Sequence, residues 1–200
     1  MDLGTTANAV KLCGVIDSEV VYSHSLFGEA FHQFFLLAPR LSGTMDRLPV
    51  TVSERLLDRP LHCGTPLALT GQLRSYNKQV DGANRLILTV FAQSLEEGEG
   101  YENSITLCGY VCKPPIYRVT PFHREIADLL VAVNRAYNKS DYIPCIAWGR
   151  NARFAQTMDV GSRITLHGRI QSREYQKKLE DGSTQTRTAY EVSIGSFEPV

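Results

Sequence analysis

Along the second half of the chain, apolar and polar positions alternate with the period of two that puts successive side chains on opposite faces of a strand. SITLCGYVC (104–112) is dense in β-branched and apolar residues and predicts a first strand. EIADLLVAVNR (125–135) has a composition that also suits a helix. Its counterpart in the first half, EAFHQFFLLAPR (29–40), carries Pro39 near its end and a run of phenylalanines, which favours a strand. YIPCIAWG (142–149) predicts a third strand. RNARFAQTM (150–158), ahead of Val160-Gly161, predicts the one short helix. RITLHGRIQSREY (163–175) predicts a fourth strand, with Gly168 permitting a sharp bend or bulge. EDGS (180–183) reads as a hairpin turn because Asp-Gly tolerates positive φ, and RTAYEVSIGSF (187–197) as the fifth strand.

The pattern occurs twice. NAVKLCG (8–14) matches NSITLCG (103–109) at an offset of 95 residues, and the offset persists through Tyr22 and Tyr117, Phe27 and Phe122, Arg40 and Arg135, Asp46 and Asp141, Pro49 and Pro144, and Arg55 and Arg150. After a two-residue slip, GQLRSYNK (71–78) answers GRIQSREYQK (168–177), and Asp81-Gly82 answers Asp181-Gly182. A module of about a hundred residues has been duplicated, with the polar LEEGEGYEN (95–103) as a flexible hinge. Five strands with a short helix between the third and fourth is the order of an OB-fold barrel. The prediction is an all-β chain of two tandem five-stranded OB-fold barrels, residues 1–98 and 99–200, each with a short helix between strands 3 and 4. The fold alone does not give a function.

Composition excludes several classes. No apolar run approaches the roughly 18 residues of a membrane span. MDLGTTANAV has neither the basic region nor the apolar core of a secretory signal, so the chain reads as soluble and cytoplasmic. Five cysteines, an odd number, with no signal peptide argue against a disulfide framework. They lack paired CxxC spacing, and the five histidines are scattered, so no metal or other cofactor is expected. There is no P-loop or GxSxG motif. SHSLFGE (23–29) gathers Ser, His and Glu, but it matches RVTPFHRE (118–125) and reads as a turn between strands one and two. A non-enzymatic binding protein is expected. The net charge of zero conceals a bias: residues 1–100 carry 8 Lys+Arg against 11 Asp+Glu, and residues 101–200 carry 13 against 10. An anionic partner should prefer the second half.

That half also holds the candidate chemistry. Binding a single strand without reading its sequence requires aromatic faces for bases and cations for phosphates. Tyr142 and the chain's one tryptophan, Trp148, lie six apart on a strand and share a face. Ile143, Cys145 and Ala147 have the opposite parity and fit a core-facing row. A tryptophan at a strand end also serves as core or interface filling; parity takes Trp148 toward the surface. Arg150 and Arg153 follow it, Arg135 and Lys139 flank the second hairpin, and Arg169, Arg173 and Tyr175 share parity on the fourth strand, with Lys177 and Lys178 starting the next loop.

NSITLCGYV, LLVAVNR, DYIPCIAWGRNA, GRIQSREY and TAYEV together make residues 103–198 resemble a bacterial single-stranded DNA-binding protein. The resemblance implies base-stacking roles for Tyr142, Trp148 and Tyr175, and backbone-facing roles for Arg135, Arg150, Arg169 and Arg173. It implies single-stranded DNA as partner in replication, recombination or repair, a nucleoid-associated location, and a homodimer that would present four OB-folds. In the first copy Ser53 replaces Trp148, Arg47 replaces Tyr142, and Ser53-Glu54-Arg55 replaces Trp-Gly-Arg. That copy is expected to bind strands weakly and to serve structure or oligomerisation; a different path through Tyr76, Arg74 and Phe27 is the alternative. The family usually carries an acidic tail, whereas this sequence ends at GSFEPV. It therefore also resembles primosomal replication protein N, an accessory acting through replication or primosome proteins.

Overall fold

The computed structural model describes residues 7–80, 82–179 and 181–198. Asp81 and Glu180, each at a predicted Asp-Gly turn, and Pro199-Val200 lie outside the described residues. The first copy comprises β1 (Asn8–Ile16), β2 (Val21–Leu26), β3 (Glu29–Pro39), β4 (Met45–Ser53), β5 (Pro66–Val80) and β6 (Ala83–Glu96). The second comprises β7 (Glu102–Val111), β8 (Ile116–Val119), β9 (Glu125–Arg135), β10 (Lys139–Trp148), α1 (Arg150–Ala155), β11 (Arg163–Lys178) and β12 (Thr184–Phe197).

Each copy closes into a five-stranded barrel. In the first the ring runs β1-β3-β4-β6-β5 and returns to β1; in the second it runs β7-β9-β10-β12-β11 and returns to β7. Closure needs the parallel pairs β4–β6 and β10–β12 among otherwise antiparallel neighbours. This is the OB-fold order read from the sequence. β2 and β8 are additions outside the rings, hydrogen-bonded to β3 and β9. Ser23–Leu26, expected within a turn, is therefore strand, and the turn itself is Phe27-Gly28. β2 escapes notice because it has no inward face: five of its six residues are exposed.

The barrel interiors follow from alternation. On β9, Leu129, Val131 and Val133 are buried; on β10, Ile143, Cys145 and Ala147 are buried, as parity requires. Each fully buried large aliphatic side chain stabilises the fold by about 1.5–3 kcal/mol. A slip of one residue would turn the whole row outward. The ladders β5–β6 and β11–β12 each shift register, at Thr70/Gly71 and His167/Gly168. These are the bulges that let long strands turn the barrel corner and run on as a two-stranded arm. Among the described residues, no helix is long and apolar enough to cross a membrane.

The barrels are not joined by a flexible hinge, contrary to the reading of LEEGEGYEN. Leu95 and Glu96 end β6, Glu102 and Asn103 open β7, and the connector packs on the first barrel. A Cβ on Gly98 would stand 2.6 Å from the Ala68 Cβ and 2.9 Å from Cys13 Sγ. Cys13 Sγ also lies 3.3 Å from the Gly100 carbonyl oxygen. β1 and β7 pair antiparallel, Asn8 with Leu107 through Cys13 with Glu102. Asn8 matches Asn103 and Leu12 matches Leu107 in the duplication, so the ladder is symmetric about its own centre. Twelve strands form one hydrogen-bonded sheet in which neither β1 nor β7 is left as a bare edge.

Candidate nucleic-acid interface

β10 presents Tyr142, Pro144 and Trp148 on its outward side. Tyr142 keeps 46% of its surface exposed and Trp148 40%. Beyond Trp148 the chain turns sharply: Gly149 has φ 53°, ψ −121° and donates its N–H to the Glu125 carbonyl at 2.9 Å. A residue with a Cβ is strained at that φ. The first copy has Glu54 there, with negative φ, and in place of α1 it makes only the 3₁₀ turn Glu54–Leu56, capped by the Ser53 hydroxyl. The glycine thus gives α1 its start, and α1 places Arg150, Asn151 and Phe154 beside Trp148 in an open pocket walled on the other side by Gly195, Ser196, Phe197 and Glu198. Phe154 and Phe197 meet edge to face at 5.4 Å. Asn151 Nδ2 donates to the Gly195 carbonyl at 2.9 Å and fixes the pocket floor.

Tyr175 stands on the β11–β12 arm and keeps 38% exposure. It lines a groove with Pro144, Lys177, Arg187 and Tyr190, and with Leu86 from the β5–β6 arm of the first copy. The three predicted aromatics therefore gather on one side of β10. Tyr190, Arg187 and Leu86 were not singled out by sequence reasoning. Arg187 and Tyr190 carried a signal, since they belong to the same predicted fifth strand. Leu86 carried none, because its place depends on how the two copies pack.

The predicted cations divide into two groups. Arg150, Lys139, Lys177 and Lys178 are exposed, and among the described residues they make no ion pair. Lys177 and Lys178 still belong to β11 rather than to the loop after it. Arg153 lies 3.6 Å from Glu125 Oε2, and Arg173 lies 3.6 Å from Glu191 Oε1 with its guanidinium 6.0 Å from the Tyr175 ring centre. The Arg153 pair lies near the surface, is worth little and yields readily to another anion. Glu191 is buried and also accepts from Gln171 Nε2 at 2.7 Å, so Arg173 is the exposed member of a half-buried pair.

Arg135 and Arg169 differ from these. They face carboxylates with no exposed side-chain surface at the two seams between the copies. At one seam Asp46 accepts from Arg40 Nε at 2.8 Å and Nη2 at 2.6 Å, from Arg169 Nη1 at 3.2 Å, and from the Ser172 N–H at 2.8 Å. The Arg47 N–H donates to the Ser172 hydroxyl. At the other seam, the equivalent Asp141 accepts from the Ser75 N–H at 2.7 Å, and the Tyr142 N–H donates to the Ser75 hydroxyl at 2.7 Å. Arg135 Nε is 3.1 Å from Asp141 Oδ2 but out of line for a hydrogen bond. Burial raises the Asp141 pKa above the ordinary carboxylate value, against the Ser75 N–H, Arg135 and Arg74, which lower it. Burial likewise lowers the Arg169 pKa, helped by Arg40. Arg169, expected as a free cation for a strand backbone, is thus committed to tying the second copy's arm to the first copy. The repeat showed Asp46 and Asp141 as a matched pair, but nothing local in the sequence marked them as buried.

Residues 102–200 match the model of the Single-strand binding protein family. A single-stranded DNA-binding protein of Oceanobacillus iheyensis is 34% identical over 89 residues, 41% of this chain and 54% of that protein. Single-stranded DNA-binding protein B of Bacillus subtilis is 31% identical over 83 residues, 38% of this chain and 74% of that one. The chain spans about half the length of the first of these relatives. The crystal structure of the wild-type single-stranded DNA binding protein from Thermus aquaticus shares the fold across both copies, with a TM-score of 0.78 at 21% identity, covering 96% of this chain and 93% of that one.

Proposed function

Because the chain belongs to the single-strand binding protein family, we propose that it binds single-stranded DNA by stacking bases on the second copy and holding phosphates with the cations around them. It acts by binding alone, without catalysis, in the cytoplasm, where replication, recombination and repair expose single strands. The observation that carries this reading is the outward row of β10: Trp148 and Tyr142 half-exposed on one face, with Tyr175 beside Pro144 and the unpaired Arg150 next to the tryptophan. A flat ring with one open face is a platform any base can use, which makes the binding tolerant of sequence.

The two copies, 1–98 and 99–200, act as domains of unequal affinity. The first has Ser53 and Arg47 at the places of Trp148 and Tyr142, and Arg47 is itself occupied by Asp17 at 2.7 Å and by the face of Phe35 at 3.7 Å. The chain assembles as a homodimer of two such tandems. The test of strand binding is a labelled oligo-dT titrated at low and moderate salt. Saturable binding that weakens with salt is expected, since each neutralised phosphate releases counterions. Absence of binding at low salt would leave a tandem that acts through protein contacts.

A further inference from the structure

The two seams share Asp46 and Asp141, Arg40 and Arg135, and Ser172 and Ser75 as equivalents, while the second arginine of each, Arg169 or Arg74, comes from a different position, and they are not equally closed. Asp46 is saturated by donors from both copies. Asp141 receives one hydrogen bond, and its buried Oδ2 has no hydrogen-bond partner. Arg74 of the first copy and Arg135 of the second line the same two grooves, and the Arg135 charge, after burial, helps to lower the Arg74 pKa. Arg74 is stacked 3.8 Å over the Phe91 ring and donates from Nη2 to Gln72 at 3.2 Å. The buried Nε atoms of Arg74 and Arg135 have no hydrogen-bond partner. Two guanidiniums thus face one carboxylate, with donors left unmet, and an unmet buried donor is costly unless another group satisfies it.

The place is also open to solvent. Two grooves meet at Arg74 and Arg135: one runs past Tyr76 and Lys78, the other past Tyr137 and Lys139. Tyr142, the outward ring at the start of β10, directly follows Asp141, and its N–H is held by Ser75, the residue before Tyr76. An exposed ring from each copy therefore flanks a single hydrogen bond, with the guanidinium pair beside it. At the Asp46 seam the equivalent ring positions hold Arg47 and Arg173, and the protein's own carboxylate already uses the guanidiniums.

We infer that the Arg74–Arg135 seam holds a backbone phosphate of a single strand passing from Tyr142 in the second copy to Tyr76 in the first, so that one strand spans both copies by this seam and not by the one at Asp46. The inference rests on the proposed strand binding. A phosphate supplies acceptor oxygens to both guanidiniums at once, in the geometry that the arginine fork favours.

The experiment titrates wild type, Arg74→Gln and the exposed first-copy variant Lys78→Gln with oligo-dT of two lengths, about 8 nucleotides for one barrel and about 30 for both. Affinity is followed over a range of salt, with Trp148 fluorescence reporting the second copy. In both variants the long strand should lose its advantage over the short one, and its log–log salt slope should fall by about 0.7 per lost phosphate contact. Short-strand affinity should stay as in wild type. An unchanged length advantage in both variants, with Trp148 still quenched, overturns the seam alone; no strand binding by the wild type overturns the function and the seam with it. Inorganic phosphate that raises the Tm of the wild type but not of Arg74→Gln, with the length advantage intact, makes the seam a free-anion site and overturns the strand route.

Discussion

Trp148 and Ser53 occupy matching positions in the two copies, and the contrast between them is testable. Trp148→Ala removes one stacking platform and should cost about 1–3 kcal/mol of strand affinity. Ser53 is buried, accepts from the Arg55 N–H at 3.2 Å and donates to Glu29. Ser53→Ala should therefore cost about 1 kcal/mol of fold stability and leave strand affinity nearly unchanged. Equal affinity losses by fluorescence anisotropy would contradict the unequal roles of the copies. Asp141 gives a prediction in pH. Its raised pKa means the fold disfavours the ionised form relative to the unfolded chain. Stability from this group is present below the ordinary carboxylate pKa and is lost as pH rises through the raised one. Asp141→Asn resembles the protonated acid, so across that window the wild type should lose denaturant resistance relative to the variant; parallel curves would refute it. The outward rings of Tyr142 and Trp148 were legible in the sequence because a strand's period of two sorts its faces. The fate of Arg135 and Arg169 was not, because an arginine facing a buried carboxylate, 6 residues away for Arg135 and 123 for Arg169, reads the same in sequence as a solvated one.

At the scale of elements, the arms depend on their glycine bulges. A Cβ on Gly168 would stand 2.2 Å from the Ser193 carbonyl oxygen, and one on Gly71 would stand 2.3 Å from that of Phe91. Backbone, not a movable side-chain tip, stands in the way. Gly168→Ala should therefore lower stability by about 1–3 kcal/mol, read as a shift in denaturant midpoint; a midpoint unchanged from wild type would mean that the bulge relaxes freely. The Gly168 bend, the helix after Trp148 and the five ring strands could be read in advance, because each leaves a local pattern. The connector could not. Glu102 and Asn103 look like hinge residues by composition, but their backbones extend the β1–β7 ladder, opposite Cys13 and Leu12. Ladder hydrogen bonds use the main chain, which composition does not report.

The whole molecule is two barrels joined by a self-symmetric ladder, with each arm reaching across to the other copy at Asp46 or Asp141. Duplication has placed in one chain a pairing whose two halves remain similar in their packing but differ in the residues turned outward. If two such chains assemble, light scattering should give about twice the 22.3 kDa of one chain, and a chain mass at working concentration would contradict the homodimer. The second copy's outward ring row is the core of the functional account, and Trp148, as the one tryptophan of the sequence, reports on it without labelling. The most direct measurement is its emission during titration with oligo-dT at low and moderate salt. Strand binding on the ring row should give quenching that saturates and weakens as salt rises. Emission that stays constant while no strand binds would contradict it and make Trp148 a packing residue of a protein-binding tandem.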